Sequence, residues 1–406
     1  MSSFMTDMFI MTGKGTPEDS VDKYKRDNKG KDLDKEWTYQ EVWDELFSSG
    51  NVLPQPLTEA HRVVVVDADD VAYRIAAACD KRSVVATIRG EKLEFDNKTK
   101  LKKFCEDVYF DFDTLEHENK VVSEDISFCL NTVKHTIKNM YRDINATHVI
   151  FFLGGSDNFR LKLPLPIKYK SNRKSTRKPT HLNATREYLN KYYQTYVIND
   201  VEADDCCVGI TQHIINNTDA YAISYQRDKD FLQALTKNRY CHSVTGEITE
   251  LSGGLGKLYL DGNNVKGQGL SWLLLQTMLG DATDGYSPKQ FFNVRYADKS
   301  YYKQFKDYDN EKDLLLAWVE QWESLLPDVI EYTTWEGVEV KYDWLELANL
   351  FFKPPYMMMH PNDKTTFSGI LERYHLGYLV GRGGYRDGMK QGDICDKIGD
   401  SYLVLL

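Results

Sequence analysis

The sequence predicts an α/β fold, three layers built around a mostly parallel sheet, on three grounds. Its apolar runs are short and continuous, as in Val63-Val64-Val65-Val66 and His148–Leu153, the pattern of strands buried on both faces. Helix-periodic stretches alternate with those runs, the order that successive βα units produce. Clusters of carboxylates follow the ends of the runs, where an open parallel sheet collects its ligands.

The elements follow in order. Residues 1–58 read as an N-terminal extension, partly disordered, because Gly13–Lys35 is rich in Lys, Asp, Gly and Glu and poor in apolar side chains. Within it, Trp37–Phe47 has helical spacing, with Trp37, Val42 or Trp43, and Phe47 as a docking stripe. The α/β domain spans 59–290. Arg62–Val66 is a β-branched strand ending in Asp67-Ala68-Asp69-Asp70, and Val71–Cys79 continues as a helix. Ile126, Leu130, Val133, Ile137 and Tyr141 recur at helical spacing before the strand His148–Leu153. Tyr196–Ile198 is a short strand before a helix at Asp204–Ile215. Tyr221–Tyr225 is strand-like, Phe231–Leu235 helical, and Ser271–Leu279 helical again. Residues 291–406 form an aromatic-rich, mainly helical C-terminal region, with helices expected at Asp313–Leu325 and Trp344–Phe352.

Composition narrows the function. At 406 residues, 42% hydrophobic and 13% aromatic, the chain can bury a large core, which excludes wholesale disorder. Seven cysteines with no Cys-x-x-Cys pair argue against a disulfide framework or a structural zinc site. No apolar run approaches the roughly 18 residues of a membrane span, and Met1–Asp7 lacks a secretory pattern. A cytoplasmic monomer with no membrane partner is expected. The net charge of −10 opposes nucleic-acid binding as a sum, but Arg160–Lys178 carries eight basic residues and no acidic one. A basic stripe suits a polyanion.

The acids suit cations. Asp67 ends the valine run, and Glu202, Asp204 and Asp205 open a helix. Asp228 and Asp230 follow the strand at Tyr225, and Asp281 and Asp284 follow a helix. If these eight carboxylates converge, mutual repulsion raises their pKa values unless cations neutralise them. Oxygen-only ligands favour magnesium or manganese. Each acid read singly is a helix cap, and four such clusters at element ends of one domain make that reading of the whole set the weaker one.

The order Val-Val-Asp67-Ala-Asp, Arg160…Tyr169-Lys170-x-Asn172-Arg173, Glu202-Ala-Asp204-Asp205, Asp228-Lys-Asp230-Phe and Gly280-Asp281-x-x-Asp284-Gly resembles that of the 5′-nucleases. These are the flap endonuclease and 5′–3′ exonuclease family, and the phage-encoded exonucleases look most similar. The resemblance covers about residues 61–290. It implies a PIN/5′-nuclease-like fold and two-metal hydrolysis of DNA phosphodiesters at 5′ ends or flaps, with RNA–DNA hybrids as a further substrate. It also implies a role in phage DNA replication or degradation, in the host cytoplasm if the chain is phage-encoded. By the same resemblance, Asp67, Glu202, Asp204 and Asp205 would hold one magnesium or manganese ion. Asp228, Asp230, Asp281 and Asp284 would hold or position a second. Lys170 and Arg160 would bind the scissile phosphate. Residues 160–185 resemble the family's basic arch, with Lys168, Tyr169, Arg173, Lys174, Arg177 and Lys178 as nucleic-acid contacts and Tyr169 stacking on a base.

The sequence departs from the pattern twice. Gly155 stands where the family has another aspartate, five residues before the arginine, and Tyr286–Arg295 lacks the glycines of the family's duplex-gripping hairpin. Two alternatives stay open. A haloacid dehalogenase-type phosphatase would explain Asp67-Ala-Asp69 and Asp281-x-x-Asp284, but not the other acids or the basic segment. A catalytically silent DNA-binding protein would accommodate Gly155. A PIN-type ribonuclease is a nearer relative that the arch and the length disfavour.

Overall fold

The computed structural model describes residues 32–175 and 177–381, with the side chains of Lys174 and Ser175 left aside. In chain order, helix α1 (Tyr39–Phe47) precedes strand β1 (Arg62–Asp67) and helix α2 (Ala68–Ala78). Then come β2 (Asp80–Ile88), β3 (Glu91–Phe95), α3 (Lys98–Asp107), β4 (His117–Ser123), α4 (Ile126–Asp143) and β5 (His148–Gly154). After the basic segment follow α5 (Leu182–Tyr192), β6 (Thr195–Ile198), α6 (Ala203–Asn217), β7 (Tyr221–Gln226), β8 (Asn238–His242) and β9 (Ile248–Leu251).

The central sheet has the order β6-β5-β1-β7-β8-β9, parallel throughout except for β9 against β8. Its valine strand shows why a continuous apolar run is needed at the centre. Successive side chains alternate faces, so Val64 and Val66 enter one core while Val63 and Val65 enter the other. The first core is roofed by α2, α4 and α5, through residues such as Val71, Ile75, Val133, Ile137 and Leu189. The second is roofed by α6 and by α1, whose Tyr39, Val42 and Leu46 are fully buried. Helix α1 is therefore a working part of the third layer, whereas the polar composition around it suggested an appendage. Thr38 caps it with Glu41 in a reciprocal capping box. Just before it, Trp37 pairs with Ile198 and extends the sheet edge beside β6. Residues 1–31 lie outside the described residues.

Between α2 and α4 stands an antiparallel sheet, β3-β2-β4, with a small core of Val84, Ala86, Ile88, Leu101, Cys105 and Leu115. Its strands alternate in burial and are too polar to match the continuous apolar runs sought in the sequence. After β9 come the hairpin β10 (Lys257–Asp261)–β11 (Asn264–Gln268) and α7 (Gly269–Leu279), all of whose residues are buried. Around α7 pack α8 (Asp298–Phe305), α9 (Glu311–Leu325), the hairpin β12 (Ile330–Thr333)–β13 (Glu339–Tyr342), α10 (Trp344–Phe352), α11 (Phe367–Arg373) and α12 (Gly377–Val380). The expected helix at Phe231–Leu235 is instead a 3₁₀ turn at Lys229–Gln233. Among the described residues, no helix is long and apolar enough to cross a membrane.

Candidate active site

The carboxyl ends of the parallel strands gather the acids. Asp67 closes β1 and caps α2, accepting from the amides of Asp69 (3.0 Å) and Asp70 (3.1 Å). Asp228 follows β7 and accepts from the Asp230 amide at 2.9 Å. Glu202, Asp204 and Asp205 open α6 beyond β6. Asp281 and Asp284 lie in the turn after α7, which leaves the helix through Gly280 at φ +76°. A side chain at Gly280 would set its Cβ 2.3 Å from the Tyr286 carbonyl oxygen, so only glycine allows that turn.

The eight carboxylates divide into two halves. Four are paired. Lys170 Nζ donates to Glu202 at 2.6 Å, and Lys229 Nζ to Asp281 at 2.5 Å. Asp284 accepts from the Tyr169 hydroxyl (2.8 Å) and from Arg173 (2.5 Å), with Lys170 Nζ at 4.0 Å. Asp205 is held by Arg160 through two bonds of 2.5 and 2.9 Å. Among the described residues, no cation pairs directly with the other four, Asp67, Asp204, Asp228 and Asp230.

The electrostatics follow that division. Burial, with Asp70 and Asp228 nearby, pushes the Asp67 carboxyl up to about 7. Burial and then the charges of Asp67 and Glu202 hold Asp204 well above the usual carboxylate range. Burial raises Asp228, and burial with Asp228 raises Asp230, whose Oδ1 accepts from the Gln276 amide at 2.6 Å. Glu202 moves the other way: burial opposes its charge, but Lys170 and Arg160 hold it below its ordinary value. Lys229 does the same for Asp281 against burial. Burial also opposes the Lys170 charge, yet Glu202, Asp284 and Asp204 raise it above the usual lysine range, so it stays an ammonium.

Several expected roles meet different surroundings. Arg160 is 1% exposed, and its remaining donors go to the carbonyls of Pro354 (2.9 Å) and Tyr356 (2.5 Å). With every arm engaged in the protein, it has none to offer a phosphate. Asp205 also accepts from the amides of Glu202 (3.0 Å) and Met358 (2.9 Å), which leaves it a fold-holding anion rather than a free ligand. Tyr169 is 2% exposed and bonded to Asp284, so its ring is not available to stack on a base. Lys168 lies over the Trp335 ring, 4.1 Å from its centroid. Arg177 and Lys178 are exposed, as a strand-tracking role requires, and the side chain of Lys174 lies outside the described residues.

Gly155 is sterically closed. A Cβ there would stand 2.5 Å from the Ile198 carbonyl oxygen and 3.0 Å from Glu36 Oε1. The Glu36 carboxylate instead accepts from the Ser156 amide (2.9 Å) and hydroxyl (2.8 Å). Sequence reasoning missed Glu36, as well as Lys229 and Arg186. Lys229 was legible, being the cation inside Asp228-Lys-Asp230. Arg186, on α5, pairs with Asp69 and donates to the Gly154 carbonyl at 2.6 Å, and no local pattern marks it.

Among the described residues, no three His, Cys, Asp or Glu side chains are gathered tightly enough to enclose a metal ion. The donor set still fits a hard divalent cation, being all oxygen, anionic and uncompensated at four positions. Among the described residues the buried Tyr286 hydroxyl has no hydrogen-bond partner, and burial, then Asp230 and Asp284, hold its pKa well above the usual tyrosine value.

No family model and no curated protein matches the chain. Solved structures do. The T5 D15 protein, co-crystallised with metal ions, aligns at 14% identity and TM-score 0.36, over 66% of this chain and 80% of its own. A mutant of T5 5′-exonuclease aligns at 15% identity and TM-score 0.38, over 74% of this chain and 89% of its own. At that distance the likeness assigns no activity to this chain.

Proposed function

We propose that this protein is a metal-dependent 5′-nuclease, hydrolysing phosphodiester bonds of DNA bearing 5′ ends or flaps. One observation carries the reading. Four carboxylates with no directly paired cation among the described residues, Asp67 and Asp230 buried and Asp204 and Asp228 half-buried, stand at the carboxyl edge of one parallel sheet, beside a lysine held protonated. Those four would hold magnesium or manganese, which supplies Lewis-acid stabilisation of the charge that develops on a phosphodiester. The chain's own residues do the rest. Glu202 and Asp284 keep Lys170 charged and in place, and its ammonium offsets negative charge on the scissile phosphate. Arg177 and Lys178 steer the strand towards the site. Asp69 is tied to Arg186 and to the Gly154 amide (2.7 Å), so the second acid of a dehalogenase-type phosphatase is not free to act.

The test is release of nucleotides from 5′-labelled flap DNA, and from the matching RNA–DNA hybrid, with and without magnesium. Asp204→Asn should abolish release while preserving DNA binding and fold. No metal-dependent release, or near-wild-type cutting by Asp204→Asn, would overturn the proposal; DNA binding alone would leave a silent binding protein.

A further inference from the structure

Three consecutive carbonyls at the base of the basic segment are taken by a single hairpin from the C-terminal region. Trp335 donates from its indole Nε1 to Leu163 O (3.0 Å) and from its backbone amide to Leu165 O (2.9 Å). Tyr332 donates from its hydroxyl to Pro164 O at 2.7 Å. Both aromatics belong to the hairpin β12–β13, whose turn is closed by the Thr334 amide on Val338 O (2.8 Å). The Lys168 ammonium on the Trp335 ring adds a cation–π contact to the same turn. Pro164 and Pro166 cannot donate, so the stretch cannot form a helix; within it the Leu165 amide reaches Leu163 O (2.8 Å), and the carbonyls of Pro164 and Leu165 take their donors from the hairpin.

Two residues beyond Lys168 the chain reaches Lys170 at φ +55°. A non-glycine residue in that region is strained and persists only where its surroundings over-determine it. On the downstream side, the Lys170 amide donates to Asp284 O at 2.8 Å, and Asn172 donates to Ala282 O at 2.9 Å. On the upstream side, the hairpin is what grips the backbone.

We infer that the β12–β13 hairpin positions Lys170, with Trp335 as the principal positioning residue, so that the C-terminal region completes the active site. The inference rests on the role of Lys170 given above. It makes Trp335 and Lys170 energetically coupled although they do not touch. Mispositioning a catalytic group by about 1 Å costs on the order of 10²-fold in rate.

The experiment is a double-mutant cycle on the full chain, read as single-turnover rate and KM on 5′-flap DNA at saturating magnesium. Trp335→Ala should slow turnover roughly 10–100-fold with KM nearly unchanged, and should add little in a Lys170→Met background. Trp335→Phe, which keeps an aromatic ring and the backbone bond but loses the Nε1 bond and part of the ring face under Lys168, and Tyr332→Phe should show smaller losses that vanish in the same background. These two carry the cycle if Trp335→Ala does not fold. If Lys170→Met turns over normally, the reading of Lys170 fails and takes the inference with it. If Lys170→Met is impaired but the hairpin losses are additive to it, or absent, the inference alone is overturned.

Discussion

Replacing Arg160 with methionine separates a role in the fold from a role on the substrate. The guanidinium is fully enclosed and makes four bonds, two to Asp205 and one each to the carbonyls of Pro354 and Tyr356. Asp205 in turn accepts from the amides of Glu202 and Met358, so the pair joins the basic segment, α6 and the stretch after α10. Methionine fills most of the volume and removes every donor. Breaking one side of a buried ion pair costs about 3–5 kcal/mol, because the remaining charge is left uncompensated. That is a large share of the ~5–15 kcal/mol that holds a typical domain together. Urea unfolding followed by circular dichroism would read the loss as a lower midpoint at unchanged slope. Arg160→Met combined with Asp205→Asn should be more stable than the single variant, since the stranded charge is gone. The reasoning fails if Arg160→Met unfolds within about 0.5 kcal/mol of the parent, the range of inconsequential surface changes, while hydrolysis collapses. That result would return Arg160 to the phosphate.

Two further predictions use the site's charge. Asp67 holds its proton up to about 7 in the folded chain, whereas an unfolded aspartate releases it near ~3.9. Its stabilising contribution is whole below the ordinary carboxylate range and is lost as pH rises through about 7. In chelator, the unfolding midpoint should therefore fall between about pH 5 and about pH 8, the slope flattening in Asp67→Asn, and magnesium should restore it; a chelator-insensitive profile would count against the site. Neutralising Arg177 and Lys178 together should flatten the salt dependence of DNA binding by about two counter-ions. An unchanged slope would place the strand elsewhere.

Much of this architecture was legible in the sequence because its central strands are extreme. A strand buried on both faces must be apolar at every position, and Val63–Val66 obeys that rule. The helices that roof the sheet show clear periodicity for the same reason. The inserted sheet β3-β2-β4 was not legible, since its half-exposed strands mix charge with apolar residues. Helix α1 was legible as a docking helix, but its stripe was placed on Trp37, Val42 or Trp43, and Phe47, whereas the side chains it buries fully are Tyr39, Val42 and Leu46. At the site, residue type announced the acids, but partnership did not follow from type. Nothing local distinguishes Asp204 from Asp205, neighbours on one helix turn. The helix turns one towards Asp67 and the other towards Arg160, and only the long-range fold decides which is which.

Such a concentration of acids would ordinarily force its own loops apart, because like charges packed together repel strongly once water is removed. The paired half answers that difficulty. Lys229 rises from the loop after β7 and closes on Asp281 in the turn after α7, so two acid-bearing segments are joined by a cation from one of them. Lys170 reaches Glu202 at the start of α6 while its own backbone amide holds the Asp284 carbonyl, joining two more. Arg160 ties α6 to the C-terminal stretch through Asp205. These contacts leave Asp67, Asp204, Asp228 and Asp230 close together with no cation paired directly to any of them, among the described residues. Their raised proton affinities are the consequence, since protons are the counter-ions available in the absence of a cation. A divalent cation would displace those protons, so the chain's internal cations set the frame and the unpaired acids keep the binding capacity.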